Sequence, residues 1–508
     1  MNRKIGAVLS YAYMILEVLS TLILTPFIIR YIGDAEYGVY KLVASVTVYL
    51  LLLDLGMGNS VIRYVAKYKE NNDLESSRKF FGVCIIFYTI VSAVVLLLGV
   101  VLIGFFQNIF ATGLSAEEIE LSKKLLSLTV INAAVMLATS VFYNIIISYS
   151  KFTVSKGTSI IQIIIRFLLT VLALKLGFGS IAIVAINLAL TVLTRTFYIL
   201  YVLYVIKLRP KFKDIDLKFI RDIIAYSSFI LLQMTATQIN CYADQALLGM
   251  FVKSSAVIIA VYGVGTQLVQ YFQSIGQALG GILMPGVVRL VEGGASPKEL
   301  QEEMVSIGRV SLSILGIAFV GFAVNGRTFL SMWVGYDYME SYYVALMLMF
   351  AYIFILTESV GTQILWAKNK HQLQSIIKFC VVLLNVILTV FLIKWNPLIG
   401  ATIGTFTSLI LGDVICMNFV FVKEIGISLV GYYKGIYKGI LPCLLLSGIS
   451  GYALLLIGIP GFFGFVINVL TMIVVYGLSM LCFGFNKSEK TIIKGLTFGM
   501  INKIKRGV

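Results

Sequence analysis

About fourteen apolar segments, each long enough to cross a bilayer, follow one another along 508 residues with little between them. A helical span takes roughly 20 mostly apolar residues, so fourteen of them consume nearly the whole chain and leave no length for a soluble catalytic domain. The class this dictates is an all-α integral membrane protein. Apolar residues at 59%, charged residues at 13% and a mean hydropathy of +0.97 agree, lying far outside the soluble range. The spans are expected near 6–30, 38–60, 80–105, 122–147, 157–176, 179–206, 223–252, 256–284, 305–326, 341–366, 372–394, 398–422, 437–458 and 461–484.

A net charge of +16 could suggest nucleic acid, but the basic residues alternate with topology. One set of connections holds Arg3 and Lys4, Arg63 to Lys79, Lys151 and Lys156, Lys207 to Arg221, Arg289 to Arg309, Lys368 to Lys378, Lys423 to Lys438 and the tail from Lys487 to Arg506. The other holds only Arg30, Lys41, Lys123, Lys124, Lys175, Lys253, Arg327 and Lys394. By the positive-inside rule the first set is cytoplasmic, both termini are inside and the span count is even. Nucleic acid is not an expected partner; membrane lipids are. The short basic start runs straight into a full-length span, so no cleaved signal is expected. Six scattered cysteines without a C-x-x-C pair and a single histidine, His371, exclude a histidine triad or a multi-histidine metal site.

The longest cytoplasmic connection divides the chain. Residues 1–206 are expected to form a first lobe of six spans, 207–222 a linker, 223–422 a second lobe of six and 423–484 two added spans. The tail 485–508 reads as a basic amphipathic stretch on anionic lipid. Two weak internal matches, Val61 to Val65 with Val287 to Val291 and Lys175 to Ala182 with Lys394 to Ala401, imply the same shift of six spans, as in transporters built from parallel repeats.

Polar residues inside the spans mark where lipid is not the neighbour. Gln233, Thr237, Asn240 and Asp244 share one helix face of the seventh span, and Gln267, Gln270, Gln273 and Gln277 line the eighth, near Tyr262 and Tyr271. Interhelical hydrogen bonds explain one or two such residues; for whole stripes a water-filled cavity is the expectation. Amides for hydroxyls and aromatic rings for the apolar faces of a sugar ring would together suit an oligosaccharide. The intramembrane charges are Glu17, Asp54, Arg166, Arg195, Asp244, Glu358 and Asp413. At roughly 3 kcal/mol or more each they need partners or water. Arg166 and Arg195, in neighbouring spans, could meet a pyrophosphate or an acidic side chain. Glu17, Asp54, Asp244 and Glu358 are candidates for proton or sodium coupling, with a structural hydrogen bond as the plainer role of each.

Four motifs carry a family resemblance. Tyr31 to Gly38 (YIGDAEYG), Leu53 to Arg63 (LDLGMGNSVIR), Asn240 to Asp244 (NCYAD) and Phe329 to Gly335 (FLSMWVG) resemble those of the polysaccharide flippases of the MOP superfamily, the Wzx group. The resemblance implies fourteen spans in two six-helix lobes around a cavity with a cationic lumen, alternating access and a proton or sodium gradient in place of any cofactor. It implies an undecaprenyl-pyrophosphate-linked oligosaccharide of capsule, O-antigen or teichoic-acid type as cargo, moved outward across a bacterial cytoplasmic membrane. Polysaccharide polymerases and glycosyltransferases are the protein partners it suggests. On this reading Arg166 and Arg195, with Arg63 at the end of the second motif, attract the pyrophosphate, and Asn240, Gln233, Tyr262 and the four glutamines of span eight touch sugar. The rivals are a multidrug exporter of the related MATE type and a membrane glycosyltransferase or polymerase. Such enzymes usually carry a large external loop, and the longest outer loops here have about fifteen residues, near 106–121 and 327–340.

Overall fold

The computed structural model describes residues 2–212, 235–368, 370–486 and 489. Among the described residues there is no strand, and the helices in chain order are α1 Asn2–Ile32, α2 Asp34–Leu51, α3 Met57–Glu70, α4 Leu74–Phe110, α5 Ala116–Ala138, α6 Ser140–Ser148, α7 Phe152–Lys175, α8 Ser180–Leu200, α9 235–251, α10 Ala256–Glu292, α11 Pro297–Trp333, α12 Ser341–Thr357, α13 Ser359–Ala367, α14 His371–Leu392, α15 Pro397–Ser408, α16 Met417–Ile425, α17 Leu429–Tyr437, α18 Ile440–Ile457 and α19 Gly461–Ser479. Among the described residues, eleven helical runs are long and apolar enough to cross a bilayer, or twelve if the bent pair α12 and α13 is one span. The seventh expected span falls partly on 213–234, outside the described residues, as does most of the expected linker; the eighth is α10, helical but not one of the twelve. Large apolar side chains such as Leu97, Val100, Leu168, Leu193 and Phe391 stand exposed on these helices, as positions facing hydrocarbon do.

Helix starts follow ordinary capping chemistry. Ser115 and Ser296 each form a capping box with Glu118 and Glu299. Asp73 accepts from the Ser76 backbone at 3.0 Å, and hydrogen bonds from the Ser76 side chain and backbone hold its carboxyl below the usual range.

Three expected spans are interrupted. The second, expected over 38–60, runs from Asp34 to Glu70 through a short turn at Leu52–Asp54, with Leu55 and Gly56 both at positive φ. The fourth breaks at Thr139, between α5 and α6, and the tenth at Glu358, between α12 and α13, with a bend of 42°. The last two breaks share a geometry: one residue near ψ 0 whose N–H still reaches back into the preceding turn, followed by a nine-residue helix. They lie six expected spans apart.

By internal contacts the chain forms two compact units, Met1–Val264 with Lys378–Ser408, and Gly265–Ile377 with Leu409–Val508. In the first, α1 packs along α7, α5 is flanked by α2, α4 and α8, and α3 lies on α6. A buried core of Val61, Val65, Phe81, Tyr88, Ile145 and Val202 joins α3, α4, α6 and the helical stretch Tyr201–Ile206 that follows α8. In the second unit α11 is the hub, touching α12, α13, α17, α18 and α19.

The first motif is a piece of framework. Gly33 has φ 81 and opens α2; Glu36 accepts the Ser180 N–H at 2.6 Å and so caps the start of α8. A Cβ on Gly38 would lie 1.7 Å from the Ala256 carbonyl oxygen at the start of α10, so no larger residue fits there.

Candidate functional site

α7 and α8 follow one another in the first unit and both present an arginine to one cavity of about 490 Å³. Its wall includes Tyr40, Asn132, Tyr143, Gln162, Asn187, Thr191 and Tyr198 beside Arg166 and Arg195. Arg166 Nη2 donates to Glu17 Oε1 at 2.8 Å, so α1 supplies its counter-charge, and about a third of each side chain remains accessible. Arg195 is held differently. Its guanidinium lies against two rings, 5.7 Å from the centroid of Tyr143 and 5.9 Å from that of Tyr198, a cation–π setting that stabilises charge without consuming N–H donors. Its Nη1 is buried and has no hydrogen-bond partner among the described residues. Tyr198 in turn shares a hydrogen bond of 2.7 Å with the Thr158 hydroxyl, which fixes the ring. A guanidinium with unspent donors, walled by aromatic faces, amides and hydroxyls, is equipped to receive an oxyanion carried on a polar, ring-bearing molecule.

The other sequence candidates fall in different places. Arg63 is exposed on α3 and is not one of the residues lining this cavity. Asn240, Asp244 and Tyr262 come together in a second, fully buried cluster of the first unit. Asp244, 2% exposed, accepts from the hydroxyls of Tyr262, Thr405 and Thr389, and Asn240 Oδ1 accepts from Asn385 Nδ2 at 2.8 Å. Asp54 sits at the break of the second span, taking the Tyr88 hydroxyl at 2.8 Å and the Gly58 N–H at 3.3 Å. In the second unit Gln267 is buried and donates to Tyr271 at 2.5 Å, Gln270 and Gln273 are half-buried, and Gln277 is exposed. Glu358 is buried at the break of the tenth span, where Oε1 accepts from Asn418 and Tyr433. Gln233 lies outside the described residues.

Sequence reasoning missed most of the cavity wall, although the signal was present. Asn187, Thr191, Arg195 and Tyr198 recur at steps of four, four and three on α8, and Gln162 lies one turn before Arg166 on α7. It also missed Asn385, Thr389 and Thr405, which nothing local connects to Asp244.

No curated protein sequence matches this chain. Among solved structures, the fold is similar to the lipid II flippase MurJ in an inward closed conformation, at TM-score 0.69 and 18% identity over 94% of this chain and 97% of that one. It is also similar to an inward-facing multidrug resistance MATE family transporter of the MOP superfamily, at TM-score 0.62 and 13% identity over 82% and 98%. At those identities the likeness is one of fold. The sequence itself matches the polysaccharide biosynthesis protein family over residues 4–291, more than half of the chain. The chain is therefore a multi-pass membrane protein with a transporter fold and belongs to the polysaccharide biosynthesis protein family.

Proposed function

We propose that this protein is a flippase, not an enzyme, that carries undecaprenyl-pyrophosphate-linked oligosaccharide repeat units from the cytoplasmic to the outer leaflet of a bacterial cytoplasmic membrane. The observation that carries the reading is Arg195: a half-buried guanidinium whose buried Nη1 has no partner among the described residues, in a cavity of amides, hydroxyls and tyrosine rings. Arg166 adds a second positive charge once its pairing with Glu17 is exchanged for pyrophosphate. The prenyl tail stays in lipid. Alternating access with two six-span lobes, 1–206 and 223–422, as the moving parts, fourteen spans and both termini in the cytoplasm complete the picture. Polymerases and glycosyltransferases of the same polymer are the partners this role implies.

Transport against a gradient needs coupling, and Asp244 is our first candidate for it. One carboxylate ringed by hydroxyl and amide oxygens has the chemistry to take a proton or a sodium ion. The fold is shared with MATE drug exporters, but a cationic drug would meet an arginine in this cavity, which disfavours that cargo.

Purified protein in liposomes, given a fluorescent lipid-linked oligosaccharide, tests the proposal. Transfer to the opposite leaflet is expected, dependent on a proton or sodium gradient and abolished by Asp244→Asn. A protein that moves no such lipid but restores drug tolerance to an exporter-deficient strain would sink it.

A further inference from the structure

The break in the tenth span carries a carboxyl that the break does not need. At Thr139 the same one-residue interruption is made by a residue whose hydroxyl bonds back to the Val135 carbonyl at 2.6 Å. Glu358 occupies the equivalent backbone position at 2% exposure, and among the described residues no cation pairs with it. Its Oε1 accepts from Asn418 Nδ2 at 3.1 Å and from the Tyr433 hydroxyl. Tyr433 also accepts from Asn418 Nδ2 at 2.7 Å, so the three side chains form one closed group. Two oxygens are left over: Glu358 Oε2 and Asn418 Oδ1, each buried and each without a partner among the described residues, the asparagine being 6% exposed.

Both orphans are acceptors, and a primary amide that donates to one oxygen of a carboxyl group brings its own carbonyl beside the other. We propose that Glu358 is a proton-binding site, protonated on Oε2, with the new O–H donating to Asn418 Oδ1 in a paired carboxylic acid–amide contact. One proton turns one of the two acceptors into a donor, and both deficits close together while the buried charge disappears. Two free oxygens suffice for a proton but fall short of the ligand number hard cations take from oxygen. The titratable groups around Glu358 favour the same outcome. Tyr432, Tyr433 and Tyr437 face it from α17, and Asp413, in the helical stretch Leu409–Cys416 that joins α15 to α16, adds like charge. Arg309, on the neighbouring α11, is committed to Glu489 and to backbone carbonyls.

The proton also reports on α17. Tyr433 holds this short helix to Glu358, and Tyr432 holds it to the Thr357 carbonyl at 3.0 Å, so both bonds end on the break itself. When the proton leaves Oε2, the carboxylate and the Asn418 carbonyl repel, so α16 loses part of its seat, while the Tyr433 hydroxyl donates to a full charge and holds α17 more firmly. This site thus deepens the ion-coupling part of the proposed function, resting on that reading only for its purpose and not for its existence.

Infrared difference spectroscopy of the full-length protein in lipid nanodiscs tests it without any cargo. A protonated-carboxyl C=O stretch should be present at neutral pH in the wild type, absent in Glu358→Gln and shifted in Asn418→Ala. Tyr433→Phe, which keeps the ring, should shift the same band and serves where Glu358→Gln fails to fold. Sodium should leave the band unmoved. A band that sodium removes, or no band that responds to these substitutions, overturns the site. Loss of lipid flipping with the band intact would count against the flippase and leave the proton site standing.

Discussion

Two arginines, one in each compact unit, show what separates a structural cation from an available one. Arg309 on α11 is 2% exposed and has spent its donors: its Nε and Nη2 hold Glu489, and its two Nη atoms take the carbonyls of Gly435, Lys438 and Gly484 at 2.7 to 3.0 Å. It ties the end of α17, the end of the last span and the start of the tail to one helix. Arg195 on α8 is packed against two rings and keeps a buried nitrogen unused. Both bury guanidinium nitrogen, and both carry the same charge. What distinguishes them is whether the hydrogen-bonding capacity is already filled.

The contrast predicts opposite failures. Arg309→Met should give the largest loss of stability, about 3–5 kcal/mol, because it strands Glu489 and several buried carbonyls; melting curves of the purified protein would check it, and near-wild-type melting would break the contrast. Arg195→Gln should leave melting nearly unchanged and lower lipid transfer by roughly ten- to a hundredfold, the worth of charge-assisted hydrogen bonds to an anion. Glu17→Gln lies between them. It frees Arg166 at a stability cost of about 1 kcal/mol or less, since the pair is partly exposed, and should tighten pyrophosphate binding several-fold in a calorimetric titration. Arg63→Gln, outside the cavity, should change stability by no more than about 0.5 kcal/mol and transfer hardly at all; a large transfer defect would mean that a surface arginine belongs to the path after all.

The sequence made the class legible, because run length and hydropathy are one-dimensional signals that need no partner. It also made Arg166 and Arg195 visible, since an intramembrane charge stands out against apolar neighbours. It could not show that Glu17 answers one and Tyr143 the other, for those contacts join residues 149 and 52 positions apart through packing alone. The second duty of Arg309 was hidden for a related reason. Near a basic connection it counted as a topogenic charge, whereas the carbonyls it satisfies belong to helix ends more than a hundred residues away. The breaks at Thr139 and Glu358 were invisible because neither residue is a glycine or proline, and their cause lies in the tertiary setting.

The motif YIGDAEYG, which first ties this chain to its family, does not touch the cavity at all except through its neighbour in the helix, Tyr40. Its glycines make a turn and a clearance, and its Glu36 props up the start of the helix that bears Arg195. A signature made of props identifies the machine and is blind to its freight. Two relatives could share every residue of it and export different polymers, so the residues to compare for cargo are those on the opposite wall: Asn187, Thr191 and Tyr198 on α8, and Gln162 on α7.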